Sequence, residues 1–261
     1  MGRLLQGRRI LVTRPRAQAA RLAALIAGEG GEPLCFPLIE IEPPLDAAPL
    51  RGVAARLAQY VLVVFISPNA VAFAIPEIAA QGPWPEATQA AAIGPGTVSA
   101  LVSHGFDSDR IVVPAQRFDS EALLDQPALQ SARVVGKKVL ILRGDGGREL
   151  LVDTLRQRGA DVDCIACYRR TPPSDASEIV SLLRNKALDA VTLSSSEGLR
   201  NLLAMLDTEA CAQLRCLPVF VSHQRIEQAA IAAGWREIVV TPPGDAGIVE
   251  SLCRYKWLQH E

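Results

Sequence analysis

Short apolar runs alternate with long amphipathic stretches along almost the whole chain. Residues 9–13, with the apolar Ile10-Leu11-Val12 at their centre, are strand-like. Residues 16–28 carry Ala20, Leu22, Ala23, Leu25 and Ile26 at helical spacing until Gly30-Gly31 stops the pattern. Residues 34–41 predict a second strand, closed by the breaker Glu42-Pro43-Pro44. Residues 61–66 are apolar throughout, the pattern of a strand covered on both faces in a parallel sheet. A helix over 70–80, a strand over 90–93, a helix over 97–104, a strand over 110–113 and a helix over 120–129 follow. Asp119-Ser120 caps the last of these, and Glu121 stands in its first turn. The rhythm restarts with strand 138–142, helix 148–158, strand 161–168 and a second breaker, Thr171-Pro172-Pro173. Helix 178–185, strand 190–193, helix 198–206, strand 218–221, helix 224–233, strand 238–240 and helix 246–257 complete it. This alternation predicts an α/β protein whose parallel sheets carry helices on both faces.

The pattern also repeats itself at an offset of about 128 residues, too long for a solenoid and suited to two similar domains. Ile10-Leu11-Val12-Thr13-Arg14 is echoed by Val139-Leu140-Ile141-Leu142-Arg143, and Ser67-Pro68-Asn69 by Ser195-Ser196-Glu197. Gly94-Pro95-Gly96-Thr97 is echoed by Ser222-His223-Gln224-Arg225, and Cys35 by Cys164. Pro43-Pro44 and Pro172-Pro173 also match, each after the second strand of its half. If the chain changes domain at both breakers, 42–168 is a continuous inserted domain and 1–40 with 172–261 is a discontinuous one. A single split near residue 130 is the rival division. Two domains would leave a cleft, where small ligands bind.

Composition narrows the function. Of 261 residues, 27 are Lys or Arg and 28 Asp or Glu, for a net charge of −1 with His neutral. That balance lacks the basic face of a nucleic-acid partner. No apolar run approaches the ~20 residues of a membrane span. The first residues hold no apolar stretch of signal-peptide length, which predicts a cytoplasmic protein. The six cysteines sit in aliphatic surroundings. Cys164-Ile165-Ala166-Cys167 is formally C-x-x-C, but on a strand its thiols point to opposite faces, so the pair reads as small buried apolar residues. His104, His223 and His260 are dispersed and predict no metal site.

In parallel sheets the loops after the strand ends face the ligand. Here those loops hold Thr13-Arg14-Pro15, Ser67-Pro68-Asn69, Gly94-Pro95-Gly96-Thr97, Arg143-Gly144-Asp145-Gly146-Gly147, Ser194-Ser195-Ser196, Ser222-His223 and Thr241-Pro242-Pro243. Each opens a helix, whose unpaired N–H groups and partial positive charge favour anions. A ligand with several carboxylates or phosphates fits that set, while any single Ser or Thr in it also serves as a helix cap. Gly144-Asp145-Gly146-Gly147 is not a dinucleotide fingerprint, no Walker glycine-lysine motif exists, and no serine lies in a nucleophile elbow. Tyr168 stands apart: its repeat partner is the aliphatic Ile39, and Arg169-Arg170 follow it. A tyrosine there can be amphipathic packing, or a phenol that gives a proton to a leaving hydroxyl.

Taken in order, Leu11-Val12-Thr13-Arg14-Pro15, Ser67-Pro68-Asn69-Ala70-Val71, Gly94-Pro95-Gly96-Thr97, Arg143-Gly144, Cys167-Tyr168-Arg169-Arg170 and Ser194-Ser195-Ser196-Glu197-Gly198-Leu199 resemble the uroporphyrinogen-III synthase family. The resemblance spans nearly the whole chain. It implies two flavodoxin-like parallel-sheet domains, an internal duplication with domain exchange, joined by a two-stranded linker. It implies a cofactor-independent, monomeric lyase of tetrapyrrole (haem) biosynthesis, with neither nucleic acid nor membrane as partner. Such an enzyme cyclises hydroxymethylbilane with loss of water and inversion of ring D. The resemblance makes Tyr168 the residue that assists departure of the hydroxyl. It makes Arg14, Ser67, Gly94, Thr97, Arg143, Gly144, Ser195, Ser196 and Ser222 the substrate-binding set. Ile66 departs from the family threonine before Ser67, and Leu193-Ser194 from an aromatic-threonine pair. The alternative reading is a non-catalytic two-domain binding protein for an anionic small molecule.

Overall fold

The computed structural model describes residues 4–257; the first three residues and 258–261, His260 among them, lie outside the described residues. Along the chain run β1 (Arg9–Val12), α1 (Arg16–Gly28), β2 (Glu32–Cys35), β3 (Glu40–Glu42), α2 (Ala48–Ala54), β4 (Tyr60–Phe65) and α3 (Pro68–Ala79). Next come β5 (Gln89–Ala92), α4 (Pro95–Ser103), β6 (Ile111–Val112), α5 (Ser120–Leu124), α6 (Ser131–Val134), β7 (Lys138–Gly144), α7 (Leu150–Gln157) and β8 (Asp161–Thr171). The last part is α8 (Ser177–Arg184), β9 (Ala190–Leu193), α9 (Ser196–Met205), α10 (Thr208–Leu214), β10 (Val219–Val221), α11 (Gln224–Ala232), β11 (Ile238–Val240) and α12 (Gly244–Arg254). The protein is a mixed α/β molecule with parallel strand pairing in both of its sheets.

Two compact units divide the described residues. One takes those up to Glu40 and those from Thr171 on; the other is Ile41–Arg170. The first unit holds a five-stranded sheet in the order β11-β10-β9-β1-β2. The second is built on a six-stranded sheet, β3-β8-β7-β4-β5-β6, and the chain leaves or enters it within β3 and β8.

Unbroken apolar strands are covered on both faces, as their pattern requires. In β4, Val63 and Phe65 pack with α2 and α3, while Leu62 and Val64 pack with α5 and α7. In β1, Leu11 faces α8 and α9, and Ile10 and Val12 face α1 and α12. Each fully buried Leu, Ile, Val or Phe of these layers contributes roughly 1.5–3 kcal/mol. Among the described residues no helix is long and apolar enough to cross a membrane.

Three expectations need correction. Residues 34–41 are not one strand: Pro37, which has no N–H to pair, lies in a loop between β2 and β3, and these join different sheets. The helix over 120–129 ends at Leu124, with only a single 3-10 turn beyond it at Pro127–Leu129. The helix expected from residue 148 begins at Leu150, which leaves Arg148 in the loop.

Cys164 packs on the β8 face toward α7, whereas Cys167 is buried on the face toward α3. The Cys167 Sγ donates to the Arg143 carbonyl at 3.2 Å, and burial pushes its thiol up to about 12. Thiolate is the reactive form, so an alkylating reagent near neutral pH should label the exposed Cys35 and Cys216 and spare Cys167 until the protein is denatured. Peptide mass mapping of labelled, folded protein checks this; early labelling of Cys167 would contradict the packing.

Candidate functional site

In the unit of Ile41–Arg170, three residues distant in sequence meet at the ends of β4, β7 and β8. Ser67 follows β4 in extended conformation and caps α3, its Oγ accepting the Ala70 N–H at 3.1 Å. Pro68 takes the first helical position, where a missing N–H costs nothing. The same Oγ lies 3.1 Å from the Tyr168 hydroxyl. Tyr168 is 3% exposed, and its ring stacks with Phe73 of α3 at 6.1 Å between centroids. It also lies against Gly144 at the end of β7. A Cβ on Gly144 would fall 2.7 Å from two Tyr168 ring carbons, so only glycine lets the phenol cross the strand end there.

A change of register produces this placement. Arg143 pairs with Ala166 but Gly144 pairs with Tyr168, so β8 holds one extra residue at that point. Side chains on a regular strand alternate in facing; across this bulge, Cys167 and Tyr168 both join the core on the α3 side.

The neighbouring strand end carries Gly94 and Thr97. Gly94 precedes α4, and the Phe118 side chain rests on it: a Cβ there would lie 3.1 Å from the Phe118 Cβ. A Cβ on Gly96 would lie 3.6 Å from the Pro68 Cγ, which places this loop beside that of Ser67. Thr97 is buried in the first turn of α4. Near the end of β7, the Arg143 guanidinium donates to the Glu149 carboxylate at 2.6 Å and to the Arg148 carbonyl at 3.2 Å. Arg148 pairs with Glu121 at 2.5 Å, and its hydrogen bond holds that carboxyl below the usual range. A cavity of about 150 Å³ borders Tyr168 here, lined also by Ile66, Ser120, Arg143, Gly147 and Arg148.

The other unit has its own strand-end loops. Arg14, after β1, forms an ion pair with Asp245 of α12, and both side chains are largely buried. Thr13 Oγ1 donates to the Thr192 carbonyl at 2.6 Å and fastens the end of β1 to β9. Ser195 caps α9 by accepting the Gly198 N–H at 2.8 Å. The Ser196 Oγ is buried with no hydrogen-bond partner. Ser222 follows β10, its N–H donating to the Leu193 carbonyl, and His223 rather than Ser222 caps α11. Arg14, Ser195, Ser196 and Ser222 therefore stand at the ends of β1, β9 and β10, which neighbour one another in the sheet. Among the described residues no three His, Cys, Asp or Glu side chains are disposed to share a metal ion.

Sequence reasoning did not find Phe73, Glu149 or Asp245. Glu149 lies near enough to Arg143 in sequence for a charge pair to be guessed. Nothing local ties Asp245 to Arg14 or Phe73 to Tyr168.

A family model described as uroporphyrinogen-III synthase HemD matches residues 20–249. The chain is 35% identical over 240 residues to the uroporphyrinogen-III synthase of Escherichia coli, covering 90% of this chain and 96% of that one. It is 36% identical over 241 residues to that of Salmonella typhimurium, with the same coverage. Among solved structures, a mutant uroporphyrinogen III synthase of Thermus thermophilus superposes with a TM-score of 0.59 at 18% identity, over 95% of this chain and 98% of the other. A uroporphyrinogen-III synthetase of Helicobacter pylori gives 0.56 at 16% identity, over 93% and 97%. At these identities the structures speak to fold alone.

Proposed function

Since the chain belongs to the uroporphyrinogen-III synthase family and is an enzyme of tetrapyrrole biosynthesis, we propose that it cyclises hydroxymethylbilane with loss of water and inversion of ring D. The alternative of a non-catalytic binding protein falls with that membership. The observation that carries the mechanism is the Tyr168 hydroxyl held on Ser67 beside the Gly144 strand end.

The chemistry starts at ring A. Its pyrrole nitrogen pushes an electron pair toward the hydroxymethyl carbon as the C–O bond breaks. Tyr168 gives its proton to the departing oxygen, so water leaves and a phenolate remains beside an azafulvenium ion. Ring D attacks through its substituted carbon to give a spiro intermediate. That intermediate opens and recloses with ring D inverted, and the final loss of a ring proton restores the phenol. The pyrroles supply the driving electrons, so the residues bind, orient and move one proton. Holding the chain so that inverted closure outruns direct closure is the larger task.

The substrate's carboxylates would meet Ser195, Ser196, Ser222 and Thr97, the N–H groups at Gly94 and Gly144, and the guanidiniums of Arg14 and Arg143. Each arginine already holds a carboxylate of the chain, Asp245 and Glu149 respectively, which substrate would replace. Helices α4 and α12 begin without a side-chain cap, leaving N–H groups for anions.

We infer further that the two units are flavodoxin-like halves of a duplication that exchanged segments, 1–40 with 172–261 against 42–168, with β3 and β8 as the two-stranded linker. Strand order supports this reading. In one unit, taking β1, β2, β9, β10 and β11 as first to fifth, the order is 2-1-3-4-5. In the other, β7, β8, β4, β5 and β6 taken as first to fifth give that same order. The enzyme is read as a cytoplasmic monomer, which sedimentation and cell fractionation would check.

One assay tests the function. Enzyme incubated with hydroxymethylbilane, followed by oxidation and separation of porphyrin isomers, should yield type III in excess over the spontaneous type I. Type I alone would end the proposal.

A further inference from the structure

We infer that Ser67 is a positioning residue for Tyr168, the hydrogen-bond donor that aims the phenol's proton at the leaving group and receives the phenolate it leaves behind. This rests on the proposed role of Tyr168.

The argument is a count of protons. A serine hydroxyl has one proton to give and two lone pairs to accept with. One Ser67 lone pair takes the Ala70 N–H at 3.1 Å, fixing the oxygen at the head of α3. The Tyr168 hydroxyl stands 3.1 Å from the same oxygen, and either could donate. If Tyr168 donates, its proton is occupied on Ser67. If Ser67 donates, the Tyr168 proton is free for the leaving hydroxyl, and the phenolate formed on transfer already has a donor in place. Charge development on the phenol selects the second arrangement, because a hydrogen bond to an ionised acceptor is about twice as strong as a neutral one. The phenol cannot swing to another partner cheaply: its ring is fixed by Gly144 on contact and by stacking with Phe73. Ser67 is thus held by a backbone bond on one side and offers its only proton on the other, a preorganised donor aimed where charge appears.

Three substitutions separate this from simple capping or from direct substrate contact. Ser67→Ala removes cap and donor. Ser67→Asp keeps an acceptor for the Ala70 N–H but has no proton to give at neutral pH. Ser67→Thr keeps both. We expect kcat to fall about ten- to a hundredfold in Ala and Asp, the loss of one hydrogen bond to a charged group, with KM moved less than about threefold. Threonine should recover most of the turnover. In a Tyr168→Phe background the Ala and Asp changes should cost little further turnover, because the group they serve is gone. Recovery by Asp would make capping the whole role and overturn the inference. Equal losses with and without the Tyr168 hydroxyl would also overturn it, as they would place Ser67 on the substrate instead. Parental turnover in Tyr168→Phe itself would remove the mechanism beneath it, a failure visible before any Ser67 variant is read. Should the Ala variant not fold, the contrast of Asp with Thr decides alone.

Discussion

Replacing Tyr168 by Phe should leave a folded protein whose turnover with hydroxymethylbilane is lower by about a hundredfold, the scale of one positioned general acid. The substitution deletes a single oxygen from a side chain that is 3% exposed, and it adds nothing to a crowded site. The ring keeps its stack on Phe73 and its contact with Gly144. Ser67 keeps its bond to Ala70. Stability should therefore move by no more than about the 1 kcal/mol of one hydrogen bond. KM should change little, since the role proposed for the phenol lies at the breaking bond rather than at the carboxylates. Steady-state rates with isomer separation, set beside a thermal unfolding curve, check both halves. Undiminished turnover would take the phenol out of the reaction.

Gly144→Ala is expected to do comparable harm by a different route. Its methyl would fall 2.7 Å from two ring carbons of Tyr168 and 3.0 Å from the hydroxyl. Carbon atoms in contact sit about 3.5–4.0 Å apart, so the ring has to give way. Overpacking of this kind costs about 1–3 kcal/mol, a fall of several degrees in Tm for a chain of this length. Moving the ring also parts the hydroxyl from Ser67, and turnover should drop at least about tenfold. The two costs separate in the Tyr168→Phe background. The clash is with ring carbons that Phe retains, so the Tm loss should persist there. The turnover loss depends on the hydroxyl, so it should vanish. A Gly144→Ala protein with parental Tm and turnover would refute the close approach.

Fold class was legible because apolar runs such as 61–66 and their amphipathic followers carry two different periods. Places where the reading failed have local causes. Pro37 interrupts an otherwise continuous run, and the helix before Pro127 stops at Leu124 although its apolar pattern continues to Leu129. Helices α2 and α10, seven residues each, are too short for a period to show. The strand-end loops could be named from the alternation alone. What could not be seen was how Ser67, Gly144 and Tyr168 meet. The first and last are 101 residues apart, and their contact depends on parallel neighbours and on a register that no local pattern states. Tyr168 was noticed for its chemistry; regular alternation would have turned it away from α3. Arg14 and Arg143 stood out as cations, but Asp245 and Glu149, which hold them, became visible only in three dimensions.

The extra residue in β8 makes counting matter more than spelling in this stretch of chain. Up to Ile165 the strand is scaffold, and many apolar residues of similar volume would fill it. Beyond Ala166 it bears the phenol proposed as the proton donor, whose heading is set by parity, so a one-residue deletion that spared every named residue would still rotate it away from Ser67. Drift in this region should therefore favour exchanges over gaps.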